Sequence, residues 1–476
     1  MIRMKELMSK PIEKISFAVL IAFIAPITFS TIHGDDFAVP FSLVNSSNNS
    51  YSIAIKNISW TVDGHFNFLG EFIAVLWGLS LARIYQLTES VSTYFLFYSL
   101  TKFIVFTLYC ALFYFISNRL LNTDNSARVN PKLLSLGVFV FFFGYRTTWS
   151  SDPAGNYPLL GYSSAILGIL TIAIYTSKSF SNRLPKDYLL IYGFAILGSF
   201  YYELNALVLV IIIIVDVSFG VIEKNRTLFI APTLVLFSAL YILLPKVIAN
   251  SSGYEGTDVS IELVSIRTFL VQIFSALPLS TIPLAIYLYP GLLVFILLAL
   301  VLLVRMQFFQ SSVRPLDLPK LCEMSVRDKL FLAMLTSYAL LSAGAFALSE
   351  KYQKEILWPG QTYMASPVIQ FMFMLITFQF LWINMDKIRN FYGIAIVLLC
   401  LNFTFNTALV YNMHLKNFAS SQLIEGLVGA EENKRCEYLQ DWVLEERPIY
   451  YKEWVIESLQ GTHKIWFGEK YCGSQP

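Results

Sequence analysis

Two carboxylates stand side by side in the run Ile32-His33-Gly34-Asp35-Asp36-Phe37, directly after the first apolar stretch of the chain. Ionised groups at the edge of a hydrocarbon layer are costly, so they are either drawn out into water or held in a polar cavity for a purpose. The loop offers little retreat, because Phe37, Val39, Pro40 and Phe41 follow at once and hold it against the bilayer. That placement points to chemistry on a lipid-linked substrate. Further protonatable groups accumulate in the segments assigned below to the same side: all four histidines (His33, His65, His414, His463), Asp63, Glu71, Asp152, Glu255 and Asp258, with the cations Arg267, Lys351 and Lys354.

The elements that must position these groups follow from composition. Of 476 residues 56% are hydrophobic and 14% charged, with a mean hydropathy of +0.59. A soluble globule of that make-up would expose a very large apolar patch, so the chain is expected to be polytopic in a membrane. No stretch alternates lipid-facing with lumen-facing residues as a barrel strand does, which leaves an all-α bundle. The net charge of +2 and the lack of a basic run interleaved with aromatics argue against nucleic acid as a partner.

Lys and Arg give the orientation. They cluster in Met1 to Lys14, around Arg119, Arg128 and Lys132, at Lys178, Arg183 and Lys186, at Lys224 and Arg226, from Arg305 to Lys329, and at Lys387 and Arg389. These segments read as cytoplasmic. The intervening ones (33–83, 147–157, 249–267, 350–362 and the tail from Tyr411) read as external. Spans are expected near 16–32, 91–117, 133–146, 159–177, 187–203, 205–222, 227–247, 283–304, 330–349, 364–383 and 390–411, about eleven helices in all. Glu71 to Tyr85 is apolar enough to cross but would invert every later loop, and so is expected to lie on the outer leaflet as an interfacial helix. Phe269 to Leu279, interrupted by Pro278 and followed by Pro283, reads as a re-entrant or half helix. Lys102 and Asp216 lie near span ends and are expected to snorkel, whereas Glu203 and Asn205, at a tight external junction, either cap helices or face the cavity.

The first span has basic residues before an apolar run, like a signal peptide, but no A-x-A-like site precedes His33, and it is expected to be retained. Residues 1–411 form the transmembrane unit, with an external loop over 33–90. Residues 412–476, with seven basic and ten acidic residues, form an external extension. Such a length is marginal for an independent core. Cys436 and Cys472 both lie in it and can pair, while Cys110 and Cys400 lie in spans and Cys322 in a reducing compartment. No Cys/His spacing marks a structural zinc site.

An acidic pair just after the first span, an interfacial helix, a many-spanning bundle and an external C-terminal extension together resemble the GT-C class of integral membrane glycosyltransferases. Within it the chain is most similar to the bacterial glucosyltransferases that decorate O antigen from undecaprenyl-phosphate-linked sugar. Their acidic pair is followed by a Trp and an Asp-Gly dipeptide, matched here by Trp60, Asp63 and Gly64 in ISWTVDGHF. The residues after the pair, Phe37-Ala38-Val39-Pro40, depart from the Leu-Gly-Arg continuation of one branch, so the resemblance carries over the class and not the donor sugar.

The resemblance implies a bacterial inner-membrane protein with its site on the periplasmic face, moving a sugar, glucose in the nearest relatives, from a polyprenyl phosphate to a surface glycan. It implies that Asp35 or Asp36 takes the proton of the attacking hydroxyl while its neighbour orients the acceptor or holds a divalent metal as cofactor. Arg146, Arg267, Lys351 and Lys354 would clamp the leaving phosphate, and His33, Trp60, Asp63, His65 and Glu203 would line the acceptor side. In-line displacement would invert the anomeric carbon. A flippase and the enzyme that makes the donor are the implied partners, along with the membrane lipids. Two alternatives share the layout. An O-antigen polymerase or ligase is expected to use Arg and His in a long late loop, whereas 350–362 is short; a lipid-linked glycan transporter is expected to carry midplane ionisable groups and duplicated halves, and neither is evident.

Overall fold

The computed structural model describes residues 68–88, 91–120, 131–144, 159, 161–177, 183–218, 259–308, 324–355, 366–384, 391, 393–409, 411, 434 and 436–437. These are almost entirely helical, and among them the one β feature is an isolated antiparallel bridge between Val259 and Ser349. The all-α expectation holds for them. The helices are α1 (Phe68–Thr88), α2 (Val91–Leu120), α3 (Pro131–Gly144), α4 (Gly161–Tyr175), α5 (Pro185–Tyr201), α6 (Ala206–Ser218), α7 (Leu263–Ser275), α8 (Ile282–Leu288), α9 (Leu293–Phe308), α10 (Val326–Leu348), α11 (Glu350–Glu355), α12 (Ser366–Asn384) and α13 (Gly393–Leu409). A single 3-10 turn, Glu203–Asn205, joins α5 to α6, and another, Pro290–Leu292, precedes α9.

Among the described residues three helical stretches are long and apolar enough to cross a membrane: Leu96–Leu120, α10 and α12. The expected spans at 16–32 and 227–247 lie outside the described residues. The distribution of side chains is that of a membrane bundle. Leu96, Leu100, Ile104 and Leu108, one turn apart on α2, are exposed, as are nine apolar residues of α9, while Gln272, Gln370, Asn384 and Asn402 are buried.

The start of α10 is fixed locally, since Ser325 accepts from Asp328 N–H and its hydroxyl donates to the Asp328 carboxylate. α5 begins with Pro185 in its first turn, and the Asp187 carboxylate accepts from Leu184 N–H at 2.9 Å. The core between α2, α3, α4 and α12 is aromatic. Tyr109 meets Tyr162 edge-on at 4.8 Å and Phe371 at 5.5 Å, while Phe113 meets Phe371 and Phe378. Two buried polar groups in it find backbone acceptors: Tyr109 donates to Pro367 O at 2.6 Å, and Asn402 on α13 donates to Phe142 O at 2.8 Å.

Two expectations need correction, on the span 283–304 and on the snorkelling residues. The segment 283–304 is not one continuous span: α8 stops at Leu288, and the chain re-forms helix only after the turn at Pro290, which lacks the N–H that a continuing helix would need. The stretch 71–85, expected to be helical, belongs to a longer helix, α1, that packs beside α2, with Trp77 donating to Thr101 Oγ1 at 3.1 Å and its ring 5.2 Å from that of Tyr98; α1 also packs on α5. Lys102 and Asp216 do not snorkel. Lys102 is buried with its ammonium 4.4 Å from the Tyr98 ring centroid, and Asp216 accepts from Tyr175 at 2.6 Å and Tyr192 at 2.8 Å, with Arg183 Nη1 4.0 Å away. For Asp216 the partners come from α4, α5 and the segment just before α5, and for Lys102 the ring lies one turn back on α2 itself; such contacts offset the cost of burial.

Candidate functional site

One end of the bundle collects the segments expected to be cytoplasmic. Arg119 at the end of α2 donates to Ala173 O and Thr176 O, both at 2.9 Å, and Arg327 at the start of α10 donates to Ser177 O at 3.1 Å. Arg183, before α5, donates to Tyr175 O. A common side of the membrane for these loops requires such an arrangement.

The opposite end of α10 carries the candidate cations. Ser260 N–H donates to Leu348 O at 2.9 Å, tying the chain before α7 to the last turn of α10. Gln353 on α11 then fastens the two. Buried, its Nε2 lies 2.8 Å from Ser260 O, 2.9 Å from Ser265 Oγ and 2.9 Å from Ala347 O, so that its two protons serve three acceptors. The carbonyl of the same residue accepts from Arg267 Nη2 at 3.2 Å. Three of the four proposed phosphate ligands, Arg267, Lys351 and Lys354, are thereby brought to one place, on α7 and α11 at the C-terminal end of α10.

Their freedom differs. Lys354 is exposed and pairs with Glu350 one turn back at 2.8 Å, a contact weak in water and easily exchanged for a ligand oxygen. Lys351 is half-buried, with its ammonium 5.9 Å from the Tyr352 ring, which in turn packs edge-on against Phe346. Arg267 has one guanidinium nitrogen on Gln353 O and an otherwise exposed side chain, an arrangement that orients the group without consuming its donors. Together they can hold an anion at a helix end; they include no base and no nucleophile.

Glu203 is elsewhere. It lies half-buried on the turn between α5 and α6, which packs against α4, α5 and α6 and is tied through Asn205 to Tyr338, in the middle of α10 rather than at its end. Tyr338 donates to Asn205 Oδ1 at 2.7 Å, and Asn205 Nδ2 donates to Gly198 O at 3.2 Å and Ser164 Oγ at 3.3 Å. Ten residues separate Tyr338 from Leu348, about 15 Å of helix, so the turn is recessed below the cation cluster. Asn205 is thus a structural clamp, resolving one of the two roles left open for it.

His33, Asp35, Asp36, Trp60, Asp63, His65 and Arg146 lie outside the described residues, as does Cys472. Cys436 is disulfide-bonded. Among the described residues no group of three or more His, Cys, Asp or Glu side chains could hold a metal ion. Gln353 escaped the sequence reading because a glutamine in a short polar loop carries no signal of its own; the polar residues of α7 did carry one, a Ser265, Thr268, Gln272, Ser275 spacing on an otherwise apolar segment. Compared with protein-family models, with curated proteins and with solved structures, the chain matches none.

Proposed function

We propose that this chain is a membrane glycosyltransferase of the GT-C kind, moving a hexose from a polyprenyl phosphate to a glycan of the cell envelope at the external face of the membrane. The observation that carries the reading is the convergence of Arg267, Lys351 and Lys354 at the end of α10, on elements expected to meet lipid head groups. Three cations from two adjacent elements suit a phosphate monoester leaving group better than a neutral ligand does.

In the proposed reaction the acceptor hydroxyl attacks the anomeric carbon as the bond from that carbon to the phosphate oxygen breaks. Asp35 or Asp36 receives the hydroxyl proton, and the polyprenyl phosphate departs onto the cations. Arg267, held by Gln353 O, would orient one phosphate oxygen, and Lys354 would exchange Glu350 for another.

The test replaces Asp35 and Asp36 separately with Asn, verifies insertion and abundance, and compares the mass and linkage of the surface polysaccharide with those of cells carrying the parent chain. Loss of one hexose per repeat in either variant supports the reading. A glycan identical in cells with and without the gene sinks it. The interruption of helix between α8 and α9 favours one second reading, a transporter of lipid-linked glycan, because broken helices recur at transporter binding sites; that protein would change the amount of glycan on the surface and leave its composition alone.

A further inference from the structure

α7 is inverted relative to a helix of a water-soluble protein. Its apolar residues Leu263, Ile266, Leu270 and Phe274 are exposed, Leu263 at 85%, and the polar residues Ser265, Thr268, Gln272 and Ser275 are turned inward together with Val271. Their spacing puts all four on one helical face. That face runs back along α10: the two helices are packed together, and Ser265 is joined through Gln353 to Ala347, near the end of α10. Counting inward from that junction, Ser342 of α10 stands at a depth between Thr268 and Gln272.

Thr268, Gln272 and Ser342 are each 0% exposed. Thr268 Oγ1, both amide atoms of Gln272 and Ser342 Oγ have no hydrogen-bond partner. Buried polar groups in native proteins are paired with few exceptions, and in hydrocarbon no water stands ready to serve them. A leucine at 272 would fill the same space without leaving an amide orphaned. Nothing in the closed fold accounts for a glutamine there.

We propose that the seam between α7 and α10 is a lateral gate and a binding site for an uncharged, hydroxyl-rich group such as a pyranose. When α7 moves away from α10, Thr268, Gln272 and Ser342 become available to the entering hydroxyls. An amide that both donates and accepts, with a hydroxyl one turn away on α7 and another at similar depth on α10, suits vicinal hydroxyls of a sugar and offers no charge to a phosphate. α7 is built to move as a unit. Its outer face is apolar apart from Arg267 in the first turns. Beyond Ser275 the chain turns through 276–281, where Leu279 has φ 62, the one positive φ at a non-glycine among the described residues. At the other end α7 is held by hydrogen bonds that center on Gln353. Only the source of the sugar rests on the proposed function; the opening of the seam does not.

The test places Gln272→Cys in the full chain, in native membranes, and follows modification by a membrane-impermeant methanethiosulfonate against the parent chain with its five cysteines. Labelling above the parent is expected, slowed about threefold by a ligand at twice its dissociation constant. Two probes separate the sources: a mixture of methyl hexopyranosides in water, and polyprenyl phosphohexose in vesicles of phosphatidylethanolamine and phosphatidylglycerol fused with the membranes. Protection by the first supports a free glycan as occupant and protection by the second a lipid-linked sugar. Failure to label, or labelling that neither probe slows, overturns the proposal. Gln272→Leu supplies an independent measurement: it should melt higher than the parent, and a lower midpoint would show that the amide is satisfied within the fold. Both readouts are independent of transfer, so loss of the site and loss of the glycosyltransferase reading are told apart.

Discussion

Gly168 and Gly193 are both helical glycines, yet their surroundings set opposite expectations. A Cβ on Gly168 would lie 2.7 Å from Asn205 Oδ1 and 2.7 Å from the Tyr338 hydroxyl, the two atoms of the hydrogen bond that closes α4, α10 and the α5–α6 turn together. Gly168→Ala should lower the stability by about 1–3 kcal/mol, as overpacking does. A Cβ on Gly193 meets nothing within 4 Å, and Gly193→Ala should raise stability by about 0.5–1 kcal/mol through helix propensity alone. Thermal unfolding of both variants in one detergent checks the pair. Replacing Gln353 by Leu removes the donor shared by Ser260 O, Ser265 Oγ and Ala347 O; a loss of about 1–3 kcal/mol is expected, with α7 more accessible to hydrogen exchange than in the parent. At this scale the sequence was legible for charges and not for amides. Arg267, Lys351 and Lys354 could be singled out because a cation at a span end is rare enough to notice. Gln353 and Asn205 act through partners 88 and 133 residues away, and no local pattern reveals such a contact.

Helices were easier to read than their interruptions. Apolar runs located α2, α4, α5, α10 and α12 to within a few residues, because a window of about 20 apolar side chains has few other solutions in a bilayer. The same averaging hid the break between α8 and α9, where Tyr289, Pro290 and Gly291 are outvoted by the leucines and valines around them. It also placed the start of α7 too late, at Phe269, since Ser265, Arg267 and Thr268 lower the local hydropathy while facing a polar seam and a helix end where they are at ease. The apolar run also began α10 at 330, later than the structure does. There Ser325 caps the helix by accepting from Asp328 N–H, and Ser325→Ala should cost about 1 kcal/mol of stability, read as a lowered midpoint with an unchanged folded spectrum.

For the molecule as a whole, the gathering of Arg119, Arg183 and Arg327 at one end and of Arg267, Lys351 and Lys354 at the other predicts opposite sides of the membrane for the two sets. Arg327→Cys and Lys354→Cys, both at exposed positions, should react with an impermeant thiol reagent from opposite faces: Lys354→Cys in intact spheroplasts, Arg327→Cys only after the membrane is opened. Reaction of both from the same face would reverse the orientation assigned from Lys and Arg. The broken helix has a further consequence. α9 shows Leu and Val to its surroundings on most sides, and Ala299 is its buried contact in the small cluster with Ala285, Leu401, Phe405 and Leu409. With so few buried residues of its own, its tilt follows the thickness of the acyl layer more closely than that of α10 or α12, whose inner faces are buried in the main core. Lipids of different chain length should therefore shift α9 first, making the fatty-acid composition of the host membrane a physical variable to which this fold is sensitive.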